Sequence, residues 1–174
     1  MTMTRRDSRE SGEPINKILW PFVFLYILIA LPFILLFKLL RFLYGIWLRF
    51  HFWLRWGRKG RFVLFVYSES PNWHESIETN VLPRLDEFAI TLNWSQRSSW
   101  RDNKPLEAKI FSHWGGEEEF NPVAIVIPSF GRVKVVRFWQ AFRDYKHGKE
   151  ELLRKQEGIL FESVHKIAGS QAAS

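Results

Sequence analysis

The chain has 174 residues, no cysteine and a formal net charge of +7, and 47% of its residues are hydrophobic. The length fits one compact domain with an appendage, and the apolar content is too high for an intrinsically disordered chain. The lack of cysteine excludes a disulfide framework, cysteine-ligated zinc, iron–sulfur clusters and thiol catalysis.

The excess positive charge lies in the first third of the chain. Residues 1–60 hold ten basic and three acidic residues, whereas residues 61–174 hold fifteen of each. A domain without net charge is a poor partner for a phosphate backbone, so we expect no nucleic-acid binding. Basic residues beside apolar and aromatic sequence favour a lipid bilayer with anionic headgroups instead.

Residues 15–37 are predicted to form a transmembrane helix. From Ile18 to Phe37 there are twenty residues without a charge, which is enough to cross a hydrocarbon core of about 30 Å. Pro32 lies inside this stretch and should kink the helix; a re-entrant hairpin bending at Pro32 is the alternative. The polar residues 1–14 are predicted to be a disordered tail.

Residues 38–60 are predicted to form a basic, aromatic amphipathic helix in the membrane interface, followed by a short hinge at 57–60. Lys38, Arg41, Arg49, Arg55 and Lys59 fall in one arc of about 120° on a helical wheel. The residues expected at the interface are Lys38, Arg41, Trp47, Arg49, Trp53, Arg55 and Trp56. Interfacial tryptophans and basic residues are typical of such helices. A second membrane span is the alternative, in which Arg41 and Arg49 would need partners inside the membrane.

The distribution of Lys and Arg also predicts an orientation. Four basic residues and three acidic residues precede the apolar stretch, whereas seven basic residues follow it before the first acid, Glu69. Positively charged flanks face the cytoplasm. We therefore expect a single-pass protein of the inner or plasma membrane whose C-terminal domain is cytoplasmic.

Residues 61–168 are predicted to form an α/β domain, followed by a flexible tail at 169–174. The predicted elements are a strand at 61–67, a helix at 73–87 interrupted at Pro83, a strand at 88–93, a polar loop at 95–104, a short helix or irregular crossover at 105–114, strands at 123–128 and 133–138, and a helix at 149–166. These follow from the apolar runs and the turn residues between them. The first two strands and the helix between them predict a parallel βαβ unit.

This order, β-α-β-(α)-β-β-α, resembles that of the thioredoxin-like family, and four local motifs strengthen the resemblance. Leu82-Pro-Arg-Leu-Asp-Glu-Phe-Ala89 is similar to the proline-kinked end of the family's first core helix, and Asn121-Pro122 is similar to its cis-proline loop. Ser129-Phe-Gly131 resembles the glycine turn of the next hairpin, and Lys149-Glu-Glu-Leu resembles the start of the last helix. The resemblance covers residues 61–168 and implies a three-layer sandwich.

The family's redox motif is absent. CxxC would lie at the start of the first core helix, near Ser70–Trp73 or Glu75–Glu78, and neither segment contains cysteine. Thiol–disulfide exchange requires a thiolate, so that reaction is excluded.

A peptide-binding groove is the functional feature that the resemblance still implies. In the family, the backbone before the cis-proline pairs with extended peptides. The corresponding residues here are Ser70, Trp73, His74, Asn121 and Pro122. The alternative is that Pro122 only shapes the entry into the next strand, because a fold does not by itself give a function.

His74, Glu75 and Glu78 are weak candidates for metal ligands. His74 and Glu78 share a helix face at i, i+4, as two ligands of a zincin motif do, but no third ligand follows from the spacing. Acidic residues are also common in a first helical turn because they favour its positive end. We therefore predict no metal and no cofactor.

Trp94 and Trp100 lie in a polar loop, where they are either exposed interaction anchors or buried by a loop that folds back. Together, the features predict a membrane-anchored, redox-inactive thioredoxin-like domain that binds a protein or peptide partner at the cytoplasmic membrane face. The alternatives are a membrane-tethered enzyme with non-thiol chemistry, metal-dependent in one form, and a structural subunit of a membrane complex.

Overall fold

The computed structural model describes residues 15–100, 103–116 and 120–172. The chain divides into two compact units, Met1–Tyr44 and Gly45–Ser174. The predicted disordered tail, residues 1–14, lies outside the described residues.

The first unit consists of the greater part of helix α1, Ile15–Arg55. Pro21 and Pro32 both lie inside this helix. Among the described residues, α1 is the one helix that is long and apolar enough to cross a membrane. Its most apolar stretch has a mean hydropathy of 2.6, and none of that stretch is buried in the protein. An apolar helix without an internal partner matches the length and composition of a bilayer span.

The last part of α1 belongs to the second unit, which differs from the separate interfacial helix predicted for residues 38–60. The helix continues without a break to Arg55, and a 3₁₀ turn, Gly57–Lys59, follows at the predicted hinge. Leu48 and Phe52 are fully buried. Because Gly45, Leu48 and Phe52 recur at helical spacing, they form a stripe that packs on the domain. The sequence prediction for this segment rested on its basic residues and assigned no role to the buried stripe.

Four strands form one mixed sheet in the order β2-β1-β3-β4. They are β1, Val63–Tyr67; β2, Ala89–Asn93; β3, Val123–Val126; and β4, Lys134–Arg137. β1 pairs with β2 in parallel, as predicted, and β3 pairs antiparallel with both β1 and β4. Gly131 has a φ of 95° in the turn between β3 and β4, a conformation that favours glycine.

The helical segments of the second unit follow the predicted order with one addition. Three consecutive pieces, α2 (His74–Ser76), a π-helical turn (Ile77–Val81) and α3 (Leu82–Leu85), connect β1 to β2. Residues 105–114 were predicted to form either a short helix or an irregular crossover, and they contain helix α4, Leu106–Trp114. Helix α5, Trp139–Tyr145, was not predicted, and α6, Glu151–Ala172, extends six residues beyond the predicted end at 166 into the predicted tail.

Both faces of the sheet are covered. Val63, Phe65 and Tyr67 of β1 belong to a core shared with α2–α3, α5 and α6. Leu64 and Val66 point to the other side, into a core shared with α4 and the end of α1. This alternation follows from the period of two in a strand, and it explains why β1 is an unbroken apolar run.

Candidate functional site

Strand register places the two predicted groove segments at the same end of the sheet. Val66 pairs with Val123, so Tyr67 at the end of β1 lies beside Pro122 at the entry to β3. Tyr67 also pairs with Asn93, the last residue of β2. The loop after β1 and the segment before β3 are therefore neighbours. We call this region the Pro122 end of the sheet.

The loop after β1 is held by its own hydrogen bonds. The carbonyl of Ser70 accepts hydrogen bonds from the backbone N–H groups of Trp73 and His74, at 3.2 and 2.9 Å, which starts helix α2. The indole N–H of Trp73 donates to the carbonyl of Ser68 at 3.1 Å, and its ring lies 6.4 Å from that of Phe142. Trp73 is half-buried, so it packs against its neighbours rather than projecting as an anchor.

Asn121 and Pro122 are joined by a cis peptide bond, as the sequence predicts. Pro122 is buried and Asn121 is half-buried. The carbonyl of Pro122 accepts a hydrogen bond from the N–H of Phe138 at 2.9 Å. The five predicted groove residues thus all lie at the Pro122 end of the sheet.

Tyr67, His74 and Glu78 form a polar cluster beneath the loop. The Tyr67 hydroxyl donates to Glu78 Oε1 at 3.3 Å, and His74 Nε2 lies 3.6 Å from the same oxygen. The Tyr67 and His74 rings stack with their centroids 6.0 Å apart. Within the described part of the chain, His74 Nδ1 is buried without a hydrogen-bond partner.

Burial raises the pKa of the Tyr67 hydroxyl above its ordinary value. The Glu78 carboxylate and its hydrogen bond raise that pKa further, followed by the charge of Glu69. Each effect favours the neutral phenol, because a phenolate would be desolvated and would face a carboxylate. Tyr67 therefore acts as a hydrogen-bond donor at neutral pH.

Two aromatic residues that the sequence analysis did not select stand next to Asn121. Phe120 and Trp139 stack with their centroids 4.8 Å apart at an interplanar angle of 17°. The Arg143 guanidinium lies 4.9 Å from the centre of the Trp139 ring, and 42% of Phe120 is exposed. Aromatic side chains with an adjacent arginine are common at recognition surfaces. The adjacency of Phe120 to Asn121 is the one signal for this pair in the sequence.

Polar contacts tie the rest of the Pro122 end together. Asn93 Nδ2 donates to Glu69 Oε1 at 2.7 Å, and the N–H of Glu69 donates to the Ser95 hydroxyl at 3.0 Å. On the other side, Lys146 Nζ donates to Asn72 Oδ1 at 3.1 Å. These contacts link the β1 loop to β2 and to the residues that follow α5.

The metal candidates do not form a metal-binding cluster. Over residues 15–100, 103–116 and 120–172 there is no group of three His, Asp or Glu side chains that could hold a metal ion. Glu78 shares its carboxylate with Tyr67 and His74, while Glu75 is exposed. The chemistry available at this end is hydrogen bonding and apolar contact.

The loop tryptophans are not interaction anchors. Trp94 is buried and meets Phe111 edge-on, with ring centroids 4.6 Å apart. Trp100 lies 5.7 Å from Trp94 in the same manner and packs against the same core. The segment Trp94–Trp100 is a 3₁₀ helix that folds back on the sheet, rather than a projecting loop.

The predicted membrane-interface residues have several environments. Lys38 and Arg41 lie on α1 in the first unit and are exposed. In the second unit, Arg49 donates to the carbonyls of Pro128 and Gly131, at 2.6 and 2.7 Å. Trp47, Trp53 and Arg55 are exposed, and Trp56 is half-buried. The ring of Trp56 lies 5.2 Å from Phe52 and 4.8 Å from the Arg55 guanidinium.

Comparisons of the chain with protein-family models, with curated proteins and with solved structures give no match. Its function is therefore inferred from its own residues and their geometry.

Proposed function

We propose that this chain is a membrane-anchored thioredoxin-like domain without redox chemistry, which binds an extended segment of a protein partner at the cytoplasmic membrane face. The observation that carries the proposal is the pairing of Val66 with Val123, which brings the Ser70–His74 loop beside Asn121-Pro122. This is the arrangement that the family resemblance implies for a peptide groove.

Three further features support the thioredoxin-like assignment. The α2–α3 segment is the next element after β1, and its second half contains Pro83. A cis-proline precedes β3, and a positive-φ glycine lies in the following hairpin. The two strands that flank the groove loop, β1 and β2, are parallel, and helices cover both faces of the sheet.

Binding suits this site better than catalysis. The whole chain lacks cysteine, and the Glu78 carboxylate beneath the loop is already in contact with Tyr67 and His74. An extended peptide gains affinity from backbone hydrogen bonds and specificity from side-chain contacts. Phe120 and Trp139 supply an apolar surface next to Asn121, where such a segment would place an apolar or aromatic side chain.

The anchor supports the location in the proposal. Helix α1 has the length and hydropathy of a bilayer span, and the basic residues that follow its apolar stretch favour the cytoplasm for the domain. A domain attached directly to a span meets its partners at the membrane surface, where tethering raises their effective concentration.

Photo-crosslinking in native membranes tests the proposal. A photoreactive amino acid replaces Asn72, an exposed turn residue at the Pro122 end, and in the matched control it replaces Glu87, an exposed turn residue at the opposite end of the sheet. We expect a discrete adduct at position 72, mapping to a cytoplasmic segment of one partner, and no such adduct at position 87. Equal labelling at both positions would contradict a groove, and an adduct to an extracytoplasmic segment would contradict the orientation.

A further inference from the structure

The second unit carries an apolar stripe on the part of α1 that it includes. The stripe consists of Ile46, Trp47, Phe50, Trp53 and Leu54, each between 40% and 54% exposed. At about 100° per residue these positions fall within roughly 120° of the helix circumference, opposite the buried stripe of Gly45, Leu48 and Phe52. One face of this helix packs on its own domain. The opposite face is apolar and exposed, so it is available to contact an apolar environment outside the domain.

The turn between β3 and β4 extends this stripe. Phe130 at its tip is 92% exposed, the highest value among the exposed large hydrophobic side chains of the described residues. Phe130 and Trp53 line the same pocket, which has a volume of about 780 Å³. Phe130 and the exposed Trp53 therefore both contribute apolar area to the surface around this pocket.

Arg49 fixes the turn to the helix. Its guanidinium donates to the carbonyls of Pro128 and Gly131, on either side of Phe130, at 2.6 and 2.7 Å. Such bonds from a charged donor are stronger than neutral ones. The position of Phe130 relative to the stripe is therefore set by the fold.

The pocket beside the turn is cationic. Three basic residues, Arg132, Lys134 and Lys166, line it and no acidic residue does. Lys134 Nζ donates to the Ser163 hydroxyl at 2.7 Å. Arg132 and Lys166 are exposed and have no ion pair within the described parts of the chain.

We infer that this surface binds anionic phospholipid: the apolar stripe and Phe130 enter the headgroup–acyl boundary, while Arg132 and Lys166 contact the headgroup phosphate. The inference rests on the membrane anchor of the proposed function, because covalent attachment to a bilayer span supplies the lipid at high local concentration. Tryptophan and phenylalanine beside Lys and Arg are the combination that interfacial surfaces use. The turn, Arg132, Lys134 and Lys166 add a lipid contact that the α1 residues alone do not provide.

The chain's lack of cysteine allows a site-specific test in the full-length protein. An environment-sensitive fluorophore is attached to Ser129→Cys, next to Phe130, or to Ser98→Cys, an exposed serine in the 3₁₀ helix that follows β2. Both proteins are reconstituted into vesicles of phosphatidylcholine, with and without phosphatidylglycerol. We expect the label at 129 to shift to the blue when the anionic lipid is present, and the label at 98 to remain unchanged.

Two variants and one competitor make the test specific. Phe130→Ser, or the pair Arg132→Glu and Lys166→Glu, should abolish the shift at 129 and leave the signal at 98 unchanged. A signal at 98 that differs from that of the parent protein would identify a misfolded variant. If the charge-reversed pair misfolds, the milder Lys166→Gln replaces it. No shift with anionic lipid, or an equal shift at both labels, would overturn the inference. A shift produced by inorganic phosphate in phosphatidylcholine vesicles would show that the pocket binds a free anion. That result would overturn the inference that its ligand is a phospholipid.

Vesicle flotation separates this inference from the proposed function. A chain that floats with vesicles but shows no shift at 129 retains its anchor and lacks the lipid surface. A chain that does not float would overturn the anchor and the lipid surface together, while leaving the groove at the Pro122 end to the crosslinking experiment.

Discussion

Tyr67 gives the polar cluster at the Pro122 end a measurable signature. Its side chain is largely buried and its hydroxyl donates to Glu78, and these surroundings raise its pKa above 10.0. An ultraviolet titration should therefore show the Tyr67 phenol ionising at a higher pH in the folded protein than in the unfolded one. Tyr67→Phe should remove that phenol from the titration, whereas Tyr145→Phe, at an exposed tyrosine, should leave it in place.

The same shift predicts how stability depends on pH. The folded state binds the Tyr67 proton more tightly than the unfolded state, so its contribution to stability is complete below the unfolded pKa of about 10. That contribution falls as the pH rises from there through the folded pKa. Glu78→Gln should lower the pKa of Tyr67 only in part, because burial, the largest cause, remains. A Tyr67 that titrates at the same pH in the folded and the unfolded protein would contradict the cluster.

Arg49 shows why some residue roles are invisible in the sequence. Its position in the basic arc of α1 predicts contact with lipid headgroups. Its guanidinium also donates hydrogen bonds to carbonyls 79 and 82 residues away in the chain. No local periodicity encodes such a pairing, because it depends on how α1 and the hairpin pack in the tertiary structure.

At the scale of elements, the end of α1 is a structural part of the domain as well as the continuation of the anchor. Phe52 is 1% exposed and packs in the core shared with α4, whereas Phe50, two positions earlier, is 54% exposed. Phe52→Ala should lower the free energy of unfolding by about 3–5 kcal/mol, the usual cost of removing a buried phenylalanine. Phe50→Ala is the matched control and should change it by less than about 0.5 kcal/mol.

Chemical unfolding of the full chain in mild detergent, followed by near-ultraviolet circular dichroism, measures this difference. Equal effects of the two substitutions would mean that α1 ends as an independent helix. In that case its last turns would belong to the anchor alone, as the prediction of a separate interfacial helix implies.

The elements with a strong local pattern were predicted correctly. β1 and β3 are buried on both faces, so each appears in the sequence as an unbroken apolar run, and the glycine turn marks the hairpin. Helix α5 was missed because it has only two buried residues, Ala141 and Phe142, and follows β4 without a turn signal. Short helices of this kind are stabilised by tertiary packing rather than by their own sequence.

The candidate site was predicted in part for the same reason. Asn121-Pro122 and the loop after β1 could be chosen from local motifs. Phe120 and Trp139 could not, since they meet only when the hairpin brings β4 back beside the entry to β3. Pairs that depend on strand register are outside the reach of local patterns.

At the scale of the whole molecule, we propose a bilayer span, a surface for anionic lipid and a groove at the Pro122 end. The proposed span would limit the search for partners to the membrane surface. The lipid surface, which includes Phe130 and Arg132, would restrict the orientations of the domain there. The groove would then select a partner segment by its extended backbone and by an apolar side chain next to Phe120 and Trp139.

The most direct test of the central claim is the recovery of that partner from native membranes with the anchor intact. Affinity purification is compared by quantitative mass spectrometry for the unmodified chain, for Asn72→Arg at the groove and for Glu87→Arg at the opposite end of the sheet. We predict that one partner is recovered equally with the unmodified and Glu87→Arg chains and is depleted roughly tenfold or more with Asn72→Arg, as expected for a substitution within a binding site. Equal recovery with all three chains would contradict a binding groove at the Pro122 end.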